Sequence, residues 1–428
     1  MTALLLLVTL VAAPALAGID SDSVFISLDQ VLAGVSSDNL RLQAALARLE
    51  GGQAEFRAAR GEWIPDLSIS GEYTWLDVIP QNKKPFIGDS PHDFLTTVGV
   101  RQPLYDGGRT AARFRSARAR TAQDSAALAA EAMSVRYEAQ RLYRRLQGLR
   151  QEIAVLDYSS SNMTARLKRT RLLQAAGRLS ALDLGRLEVE AAGVENRLLA
   201  ARNQYEAASR SLTALLGRSD SAVLVPVDSL AAGTVDFTLP GPDEVRRLFE
   251  KNPELAQRAA DFEQARAGVT LARAALLPSV DGAVWYGWEF GPDSFSLQKN
   301  DRYYAGVRAA VPLLDGGTAR NRLSSANASL RVARLRQEDT KLRLQAEVAN
   351  GLAALQEYPE RIAVQRRAVE QARANLRTAD LEYSAGRRSA TDAIQIQQSL
   401  LEAELTLAGL YEGYHNARAR LLALLGLL

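Results

Sequence analysis

Several residue types are scarce in this 428-residue chain, and each shortage excludes a class of protein. It has no cysteine, two histidines and three methionines, which excludes a disulfide framework and gives no indication of soft-metal chemistry. No run of 18 consecutive apolar residues occurs beyond the N-terminal region, so no transmembrane helix is predicted. The formal net charge is only +3, and both signs are interspersed along helical stretches, so nucleic acid is not an indicated partner.

The two histidines do not form a catalytic or metal-binding constellation. His92 lies in a predicted outer loop and His415 on a predicted helix, each without the partner cluster that a metal or an activated nucleophile requires. A Gly-rich phosphate loop of the Walker type is also absent. The sequence therefore predicts a protein that is not an enzyme and that binds neither a metal nor a cofactor.

Residues 1–17 are predicted to be a signal peptide. An apolar run from Ala3 to Ala13 precedes Ala15-Leu16-Ala17, a small-x-small cleavage signal. The run is too short to span a bilayer, and a buried N-terminal helix is the alternative. Export without cysteines fits a bacterial periplasm or outer membrane.

A short corner motif occurs twice. QPLYDGG at residues 102–108 returns as VPLLDGG at 311–317, a constant 209 residues later. The repeated corner residues are Pro103, Asp106, Gly107 and Gly108, then Pro312, Asp315, Gly316 and Gly317. Upstream, Ile64-Pro65 matches Leu277-Pro278 at a spacing of 213. The uniform spacing predicts two structural repeats, 18–216 and 242–428, joined by an equatorial linker at 217–241.

Each repeat carries two long heptad-patterned helices. In the first repeat, apolar residues follow alternating steps of four and three from Leu128 to Leu156, and again from Leu184 to Leu215. Adding 209 to the second series gives Ala393 to Leu424, all apolar or Tyr. Such a repeat predicts coiled-coil seams between neighbouring helices. Descending helices are expected over about 109–176 and 318–385, although Lys341 and Gly351 interrupt the second pattern.

Between the helices, each repeat contains two alternating stretches typical of β-strands. The predicted hairpins span 66–103 and 279–312, with strands of roughly ten residues, the length of a tilted strand that crosses a bilayer. Three tryptophans, Trp75, Trp285 and Trp288, lie in these strands, as interfacial belts require. The corner motif then ends each second strand. Its proline is expected to end ladder pairing, its aspartate to cap the coming helix and its glycines to allow the change of direction.

Four strands alone would leave two edges of unpaired backbone groups in lipid, at several kcal/mol for each group. The sheet must therefore close with copies of itself. Three copies give twelve strands, an even number wide enough for a lumen, although the sequence alone does not fix three over four.

The ordered, duplicated set of motifs resembles the TolC-type outer-membrane efflux proteins. The matching elements are residues 27–73, both corners, residues 252–280 and two AGR-x-S-A-x-D motifs at 176–183 and 385–392. The resemblance implies a mainly α fold in which three protomers form a 12-stranded β-barrel continued by an α-helical tunnel through the periplasm. It also implies a homotrimer in outer-membrane lipid, docked to a periplasmic adaptor (membrane fusion) protein and an inner-membrane pump of RND, ABC or MFS type.

The two AGR motifs are expected at the tips of the helical hairpins, near 177–180 and 386–389. Gly177 and Gly386 suit helix C-termini, while Ser180 with Asp183, and Ser389 with Asp392, suit N-caps. In the resemblance, Arg169, Leu173 and Ser180 match an adaptor-binding pattern that the second tip lacks. We therefore expect each tip to be a capped helical turn that also contacts the adaptor, the first through this pattern.

The resemblance also implies a periplasmic aperture narrowed by acidic residues just after the second tip. Asp392 matches the first of these positions, whereas Gln395 stands where a second aspartate is expected. Either three copies of Asp392 form a ring of carboxylates at the constriction, or Asp392 serves only in the helix cap. The function implied is the exit duct of a tripartite efflux or type I secretion system. A periplasmic or cell-surface scaffold or adhesin without transport is the alternative.

Overall fold

A computed structural model describes residues 23–176, 180–219, 222–231, 240–290, 301–384 and 387–428. The predicted signal peptide and the tip glycines Gly177 and Gly386 lie outside the described residues. The described chain is mostly helical. Its strands are β1 Ser23–Ile26, β2 Asp66–Trp75, β3 His92–Tyr105, β4 Val223–Pro226, β5 Ser279–Phe290 and β6 Asp301–Ala310. Its helices are α1 Leu28–Asp38, α2 Leu40–Gly61, α3 Lys84–Ile87, α4 Arg109–Ala175, α5 Ala181–Leu215, α6 Pro242–Phe249, α7 Pro253–Ala274, α8 Thr318–Ser384 and α9 Ala390–Leu424.

The helices reproduce the duplication that the sequence predicts. The descending helices α4 and α8 each contain 67 residues, and the returning helices α5 and α9 each contain 35. A break at equivalent places also divides the first helix of each repeat in two. Asn39 ends α1 with extended backbone, and Asn252 caps α7 by accepting from the backbone N–H groups of Glu254 and Leu255.

The heptad positions lie where the pattern predicts. In α4, Val135, Leu149 and Leu156 are fully buried, and in α5 and α9 the equivalent tyrosines Tyr205 and Tyr414 are buried too. Every other member of the three series is buried or half-buried. Gly351, which interrupts the pattern of α8, lies beside Leu421 of α9, where an added Cβ would make an ordinary contact at 3.5 Å.

One four-stranded antiparallel sheet has the order β2-β3-β5-β6. The two predicted hairpins are present as β2-β3 and β5-β6, and the pairing of β3 with β5 joins the repeats edge to edge. Strands β2 and β6 are thus the outer strands of the sheet within this chain. Side chains along β2 and β6 are almost all exposed, whereas those of β3 and β5 are mostly half-buried.

Two expectations about the first hairpin were wrong. Pro103 does not end the ladder, because β3 continues to Tyr105 and pairs Pro103 with Asp281 and Tyr105 with Val280 around a β-bulge. At this level β2 no longer pairs with β3, so the missing N–H of proline can point to the open side. The connection between β2 and β3 is also more than a loop, since it contains α3. In the second repeat, β6 does end before Pro312.

The chain forms two compact units, and each draws on both repeats. One unit comprises Arg41–Glu131 and Asp243–Glu347 and contains the four-stranded sheet. The other comprises Met1–Leu40, Ala132–Pro242 and Val348–Leu428 and contains the parallel pair β1-β4. The two units differ from the predicted repeats at 18–216 and 242–428 with a linker at 217–241, and that division stays a prediction made from the sequence.

The β1-β4 pair was not predicted, and buried polar side chains hold it against the helices. Tyr205 donates to the carbonyl of Leu224 at 2.8 Å, and Tyr143 donates to the Asp228 carboxylate at 2.6 Å. Burial raises the pKa of Tyr205 to about 12 and that of Tyr143 further still, so both hydroxyls stay protonated donors. The pair spans about two hundred residues of sequence, which leaves no local periodicity to reveal it.

Candidate functional site

The four-stranded sheet has one apolar and one polar face. Because side chains alternate along each strand, the register decides which residues share a face. The mainly apolar face carries Leu67, Ile69, Tyr73, Trp75, Phe94, Val98, Val100, Val280, Val284, Tyr286, Trp288, Phe290, Tyr303, Ala305, Val307 and Ala309, with the polar residues His92, Thr96, Gln102 and Asp301 among them. The polar face carries Ser68, Ser70, Glu72, Thr97, Arg101, Asp281, Glu289, Arg302 and Arg308. A sheet with this division separates a hydrocarbon side from an aqueous side.

Trp285 does not belong to the predicted aromatic belt. It shares the parity of the polar face, where its ring stacks on Tyr304 with centroids 5.3 Å apart. Trp75 and Trp288 lie on the apolar face as expected. Because neighbouring residues of a strand point to opposite faces, the presence of a tryptophan in a strand does not show whether it faces the apolar or the polar side.

The corner after β3 and the corner before α8 have the same local construction. Asp106 accepts hydrogen bonds from the backbone N–H groups of Gly108 at 2.9 Å, Arg109 at 3.0 Å and Thr110 at 2.5 Å. Burial opposes ionisation, but these hydrogen bonds outweigh it and lower the pKa of Asp106. The carboxylate therefore caps the first turn of α4 as an anion at its positive end.

At the second corner, Asp315 accepts from the backbone N–H groups of Gly317 at 2.9 Å and Ala319 at 2.6 Å. The glycines of both corners take the left-handed conformation, with φ of 67° and 85° at Gly107 and Gly108, and 65° and 82° at Gly316 and Gly317. Only glycine adopts these angles without strain.

Charged side chains that the sequence did not single out meet at the end of the sheet beside α3. Asp93 and Glu289 are buried on the polar face, and Lys83 forms ion pairs with both. The hydrogen bond to Asp93 raises the pKa of Lys83, so the ammonium stays charged. Arg302 pairs with Glu289 and lies 4.9 Å from the ring centroid of Phe86 in α3. The connection between β2 and β3 is thereby fastened over the polar face.

The tip residues lie at the ends of α4, α5, α8 and α9. Ser180 caps α5 by accepting from the Asp183 N–H at 3.1 Å, and its hydroxyl donates to the Asp183 carboxylate at 2.7 Å. Ser389 caps α9 by accepting from the Asp392 N–H at 3.1 Å. Arg169, Asp392 and Gln395 are exposed, and Leu173 is half-buried.

An open groove of about 630 Å³ lies between α5 and α9 near the tip. Leu182 and Val189 line it from α5 and are 64% and 74% exposed, while Ile394 and Gln395 line it from α9. Exposed leucine and valine side chains on a groove mark a surface suited to a partner helix.

Contacts between α4 and α8 near the tip were missed by the sequence analysis. Arg166 pairs with Asp380, and the Thr170 hydroxyl is 3.3 Å from the Tyr383 hydroxyl. The Arg169 guanidinium also lies 5.9 Å from the Tyr383 ring centroid. Arg166 and Asp380 lie between heptad positions. Thr170 and Tyr383, in contrast, continue the heptad series of α4 and α8 with polar side chains, so the apolar pattern gave no signal for these contacts.

None of the described helices combines the length and hydropathy needed to cross a membrane. Within the same residues, no group of three or more His, Asp or Glu side chains is arranged to hold a metal ion.

The duplicated hairpins, the two-faced sheet and the long paired helices define the protomer of an efflux channel. The chain belongs to the outer membrane efflux protein family, whose model matches residues 34–218 and 245–427, one block in each repeat. It is therefore an outer-membrane efflux protein that extends into the periplasm. The TolC-type resemblance is confirmed, and the alternative of a scaffold or adhesin is not supported.

Two curated relatives align with most of this chain. Nodulation protein T of Rhizobium leguminosarum bv. trifolii is 24% identical over 400 residues, covering 87% of this chain and 79% of the relative. The pyoverdine export outer membrane protein OpmQ of Pseudomonas aeruginosa is 24% identical, covering 88% and 80%. The solved structure of VceC from Vibrio cholerae superposes with a TM-score of 0.82 at 22% identity, covering 93% and 96%. The family and the VceC structure concern channels and not enzymes.

Proposed function

We propose that three copies of this chain form the exit duct of a tripartite efflux or type I secretion system. Both outer strands of the sheet, β2 and β6, are exposed along their length, and one face of the sheet is apolar. In hydrocarbon, each unpaired backbone group costs several kcal/mol, so edge-to-edge closure is the favourable state. Twelve strands give a barrel with the apolar face toward outer-membrane lipid and the polar face toward a lumen.

The helices continue this ring as a tunnel through the periplasm. Their heptad positions are buried within the protomer, and exposed apolar residues such as Leu335, Leu342 and Val364 of α8 remain for contact between copies. The linker at 217–241, of which β4 forms part, belongs to the equatorial region. The duct acts as a passive conduit.

The tips dock to a periplasmic adaptor protein, which joins the duct to an inner-membrane pump of RND, ABC or MFS type. The groove between α5 and α9 supports this role, because its exposed Leu182 and Val189 match an apolar helical hairpin. The residues proposed to contact the adaptor at the first tip are Arg169, Leu173, Gly177, Ser180 and Asp183. At the second tip they are Gly386 and Ser389. Cargo selection then belongs to the pump.

Three Asp392 side chains, one from each copy, line the periplasmic aperture with Gln395 one turn further along α9. Asp392 is exposed, and the Ser389 cap engages its backbone N–H and not its carboxylate. The carboxylate is therefore available to permeating ions. A ring of carboxylates at a constriction favours cations.

The duct is tested by extraction and reconstitution. The mature protein should require detergent, migrate as a trimer on sizing and form ion-conducting channels in planar bilayers. A water-soluble monomer without conductance would contradict the proposal.

The aperture is tested by a matched pair of variants in the same bilayers. Asp392→Asn should reduce cation selectivity, whereas Asp183→Asn, the equivalent change at the first tip, should leave it unchanged. Equal selectivity of Asp392→Asn and the parent would leave Asp392 as a cap only.

A further inference from the structure

The internal repeat contains information about the contact between copies. Strand β5 corresponds to β2 at a spacing of 213, and β6 corresponds to β3 at a spacing of 209. The pairing of β3 with β5 is therefore the junction between the second strand of one repeat and the first strand of the next. The same junction after β6 requires a β2 strand, and the β2 of this chain lies at the far edge of the sheet.

We infer that β6 of one protomer pairs antiparallel with β2 of its partner in the register of β3 with β5, which places Arg308 opposite Glu72 of the partner subunit. This inference rests on the proposed barrel closure and adds its register. The observed pair Gly99–Trp285 becomes Arg308–Glu72 when the two spacings are applied, and Val98–Tyr286 becomes Val307–Tyr73. Likewise Val100–Val284 becomes Ala309–Gly71.

The face of each strand supports this register. Val307 lies on the apolar face of β6, and Tyr73 lies on the apolar face of β2, so the transferred pairs keep one continuous apolar surface. A shift by one residue would bring Val307 opposite the polar-face residue Glu72 or Thr74 and would reverse one strand. The spacings were taken from Pro65 and from the corner that begins at Pro103, and neither proline is among the transferred pairs at 98–100 and 284–286.

The charges on the polar face support it further. Arg308 and Glu72 are both exposed in the protomer, and within the described residues neither takes part in an ion pair, although Arg308 faces Asp281 across the β5–β6 pair. Glu72 accepts only a long hydrogen bond, 3.3 Å, from the Thr74 hydroxyl. Directly opposed residues in an antiparallel pair have Cβ atoms about 4.5–5.5 Å apart, and opposite charges at that distance stabilise the pair. A lumenal ion pair at each of the three junctions follows.

The corners extend the same contact toward the helices. The observed pair Tyr105–Val280 becomes Leu314–Leu67, and the contact of Gly107 with Leu277 becomes a contact of Gly316 with Ile64 of the partner subunit. Leu314 is 94% exposed in the protomer, and Leu67 and Ile64 are 70% and 69% exposed. The transferred register covers these exposed apolar side chains.

Disulfide trapping tests the register, because the chain has no cysteine of its own. The variant Glu72→Cys/Arg308→Cys should give covalent trimers on mild oxidation in outer membranes. Within one protomer β2 and β6 are three strand spacings apart, about 14 Å, which is too far for a disulfide. Any crosslink therefore joins two protomers. The matched controls Ser70→Cys/Arg308→Cys and Thr74→Cys/Arg308→Cys move one position by two residues on the same face.

The outcomes separate the register from the closure itself. Crosslinking strongest in the 72/308 variant supports the inference. Stronger crosslinking in either control overturns the register and leaves barrel closure standing. The same conclusion follows if the protein is a trimer on sizing but no variant shows a disulfide-linked band on non-reducing gels. A monomer that conducts no ions and forms no crosslinks overturns both.

A charge exchange tests the ion pair. Arg308→Glu places a carboxylate opposite Glu72 of the partner subunit and also opposite Asp281 of its own protomer, and it should lower the temperature at which trimers dissociate on gels by several degrees. Glu72→Arg/Arg308→Glu restores opposite charges across the junction only, and should recover part of this loss. An equal loss in the single and double variants would show that the two side chains are not opposed.

Discussion

The two corners of this chain share a backbone conformation but differ in their surroundings. Gly107 and Gly316 have φ of 67° and 65°, and both precede a glycine that is also left-handed. An added Cβ at Gly107 would lie 2.9 Å from Leu277 Cβ and 3.1 Å from the Ala274 carbonyl oxygen, whereas at Gly316 it would meet nothing within 4 Å. The first corner is packed by the second repeat, and the second corner is left open within the chain.

The strands that lead into the corners show the same difference. β3 pairs with β2 on one side and with β5 on the other, while β6 pairs with β5 alone. Duplicated sequence has thus produced one completed junction and one incomplete junction. In the proposed trimer, the second repeat would therefore carry the surface for the next copy, because equivalent residues would then gain equivalent neighbours.

The largest expected effect comes from filling the corner glycines. Gly107→Val should lower the free energy of unfolding by about 2–5 kcal/mol, because it adds overlap with Leu277 and Ala274 to the strain of a left-handed valine. If the partner fills the second corner, Gly316→Val should cost a similar amount in the assembled trimer. The measurement is urea unfolding of the purified trimer in detergent.

Gly108→Ala is the control for backbone strain alone. Its φ is 85° and an added Cβ there meets nothing within 4 Å, so its cost should be about 1–2 kcal/mol. A Gly316→Val cost as small as that of Gly108→Ala would mean that the second corner stays open in the trimer.

The next effect concerns His415, whose equivalent in the first repeat is Glu206. Buried His415 is hydrogen-bonded to the Leu230 carbonyl at 2.9 Å, and burial, helped by the positive charges of Arg144 and Arg418, lowers its pKa to about 4. The unfolded chain takes up this proton below about pH 6.5 and the folded chain does not. The associated stability is complete above that pH and is lost as the pH falls toward 4, by at most about 3 kcal/mol.

Thermal unfolding between pH 7 and pH 4.5 tests this dependence. His415→Gln keeps a side-chain donor without a titrating group, so its melting temperature should fall less with acid than that of the parent. Glu206→Gln changes an exposed side chain at the equivalent place and should reproduce the parental pH dependence. Parallel curves for His415→Gln and the parent would contradict the assignment.

Much of the fold could be predicted because its signals are local and repeated. Heptads fix the long helices, alternation fixes the strands, and the Asp-Gly-Gly corner fixes the passage between them. The β1-β4 pair could not be predicted, since Ser23–Ile26 and Val223–Pro226 are four-residue segments whose pairing depends on distant residues. For the same reason the burial of Asp93 and Glu289 was missed. Charged residues in a strand read as solvent-facing until Lys83 and Arg302 are seen beside them.

A smaller effect is expected at the helix caps. Asp106→Ala should cost about 1–2 kcal/mol, because three backbone N–H groups lose their acceptor. Asp315→Ala removes the acceptor from two N–H groups and should cost about 1 kcal/mol. Urea midpoints of the two variants measure the difference, and Asp106→Asn serves as the control that keeps an acceptor. A larger cost for Asp315→Ala would reverse the ranking of the two corners.

The smallest energetic effect is expected near the tip, where α4 and α8 carry different residues at equivalent positions. Arg166 and Thr170 of α4 hold Asp380 and Tyr383 of α8, but their equivalents in α8 are Asn375 and Ala379, which cannot form an ion pair. The α4–α8 contact is therefore fastened within the protomer, and in the proposed trimer the equivalent contact between copies would lack this ion pair. An ion pair with one exposed partner is worth at most about 1 kcal/mol.

If the proposed aperture opens by separating α4 from α8 near the tip, a change of 1 kcal/mol shifts the equilibrium between its closed and open forms about fivefold. Asp380→Ala/Tyr383→Phe should leave the unfolding free energy nearly unchanged and raise the mean conductance of single channels in planar bilayers. Asn375→Ala alters the equivalent place in α8 and should leave the conductance at the parental value. If Asn375→Ala opened the channel as much as the double variant, the fastening would lie between copies, and the asymmetry of the two repeats would not extend to the tip.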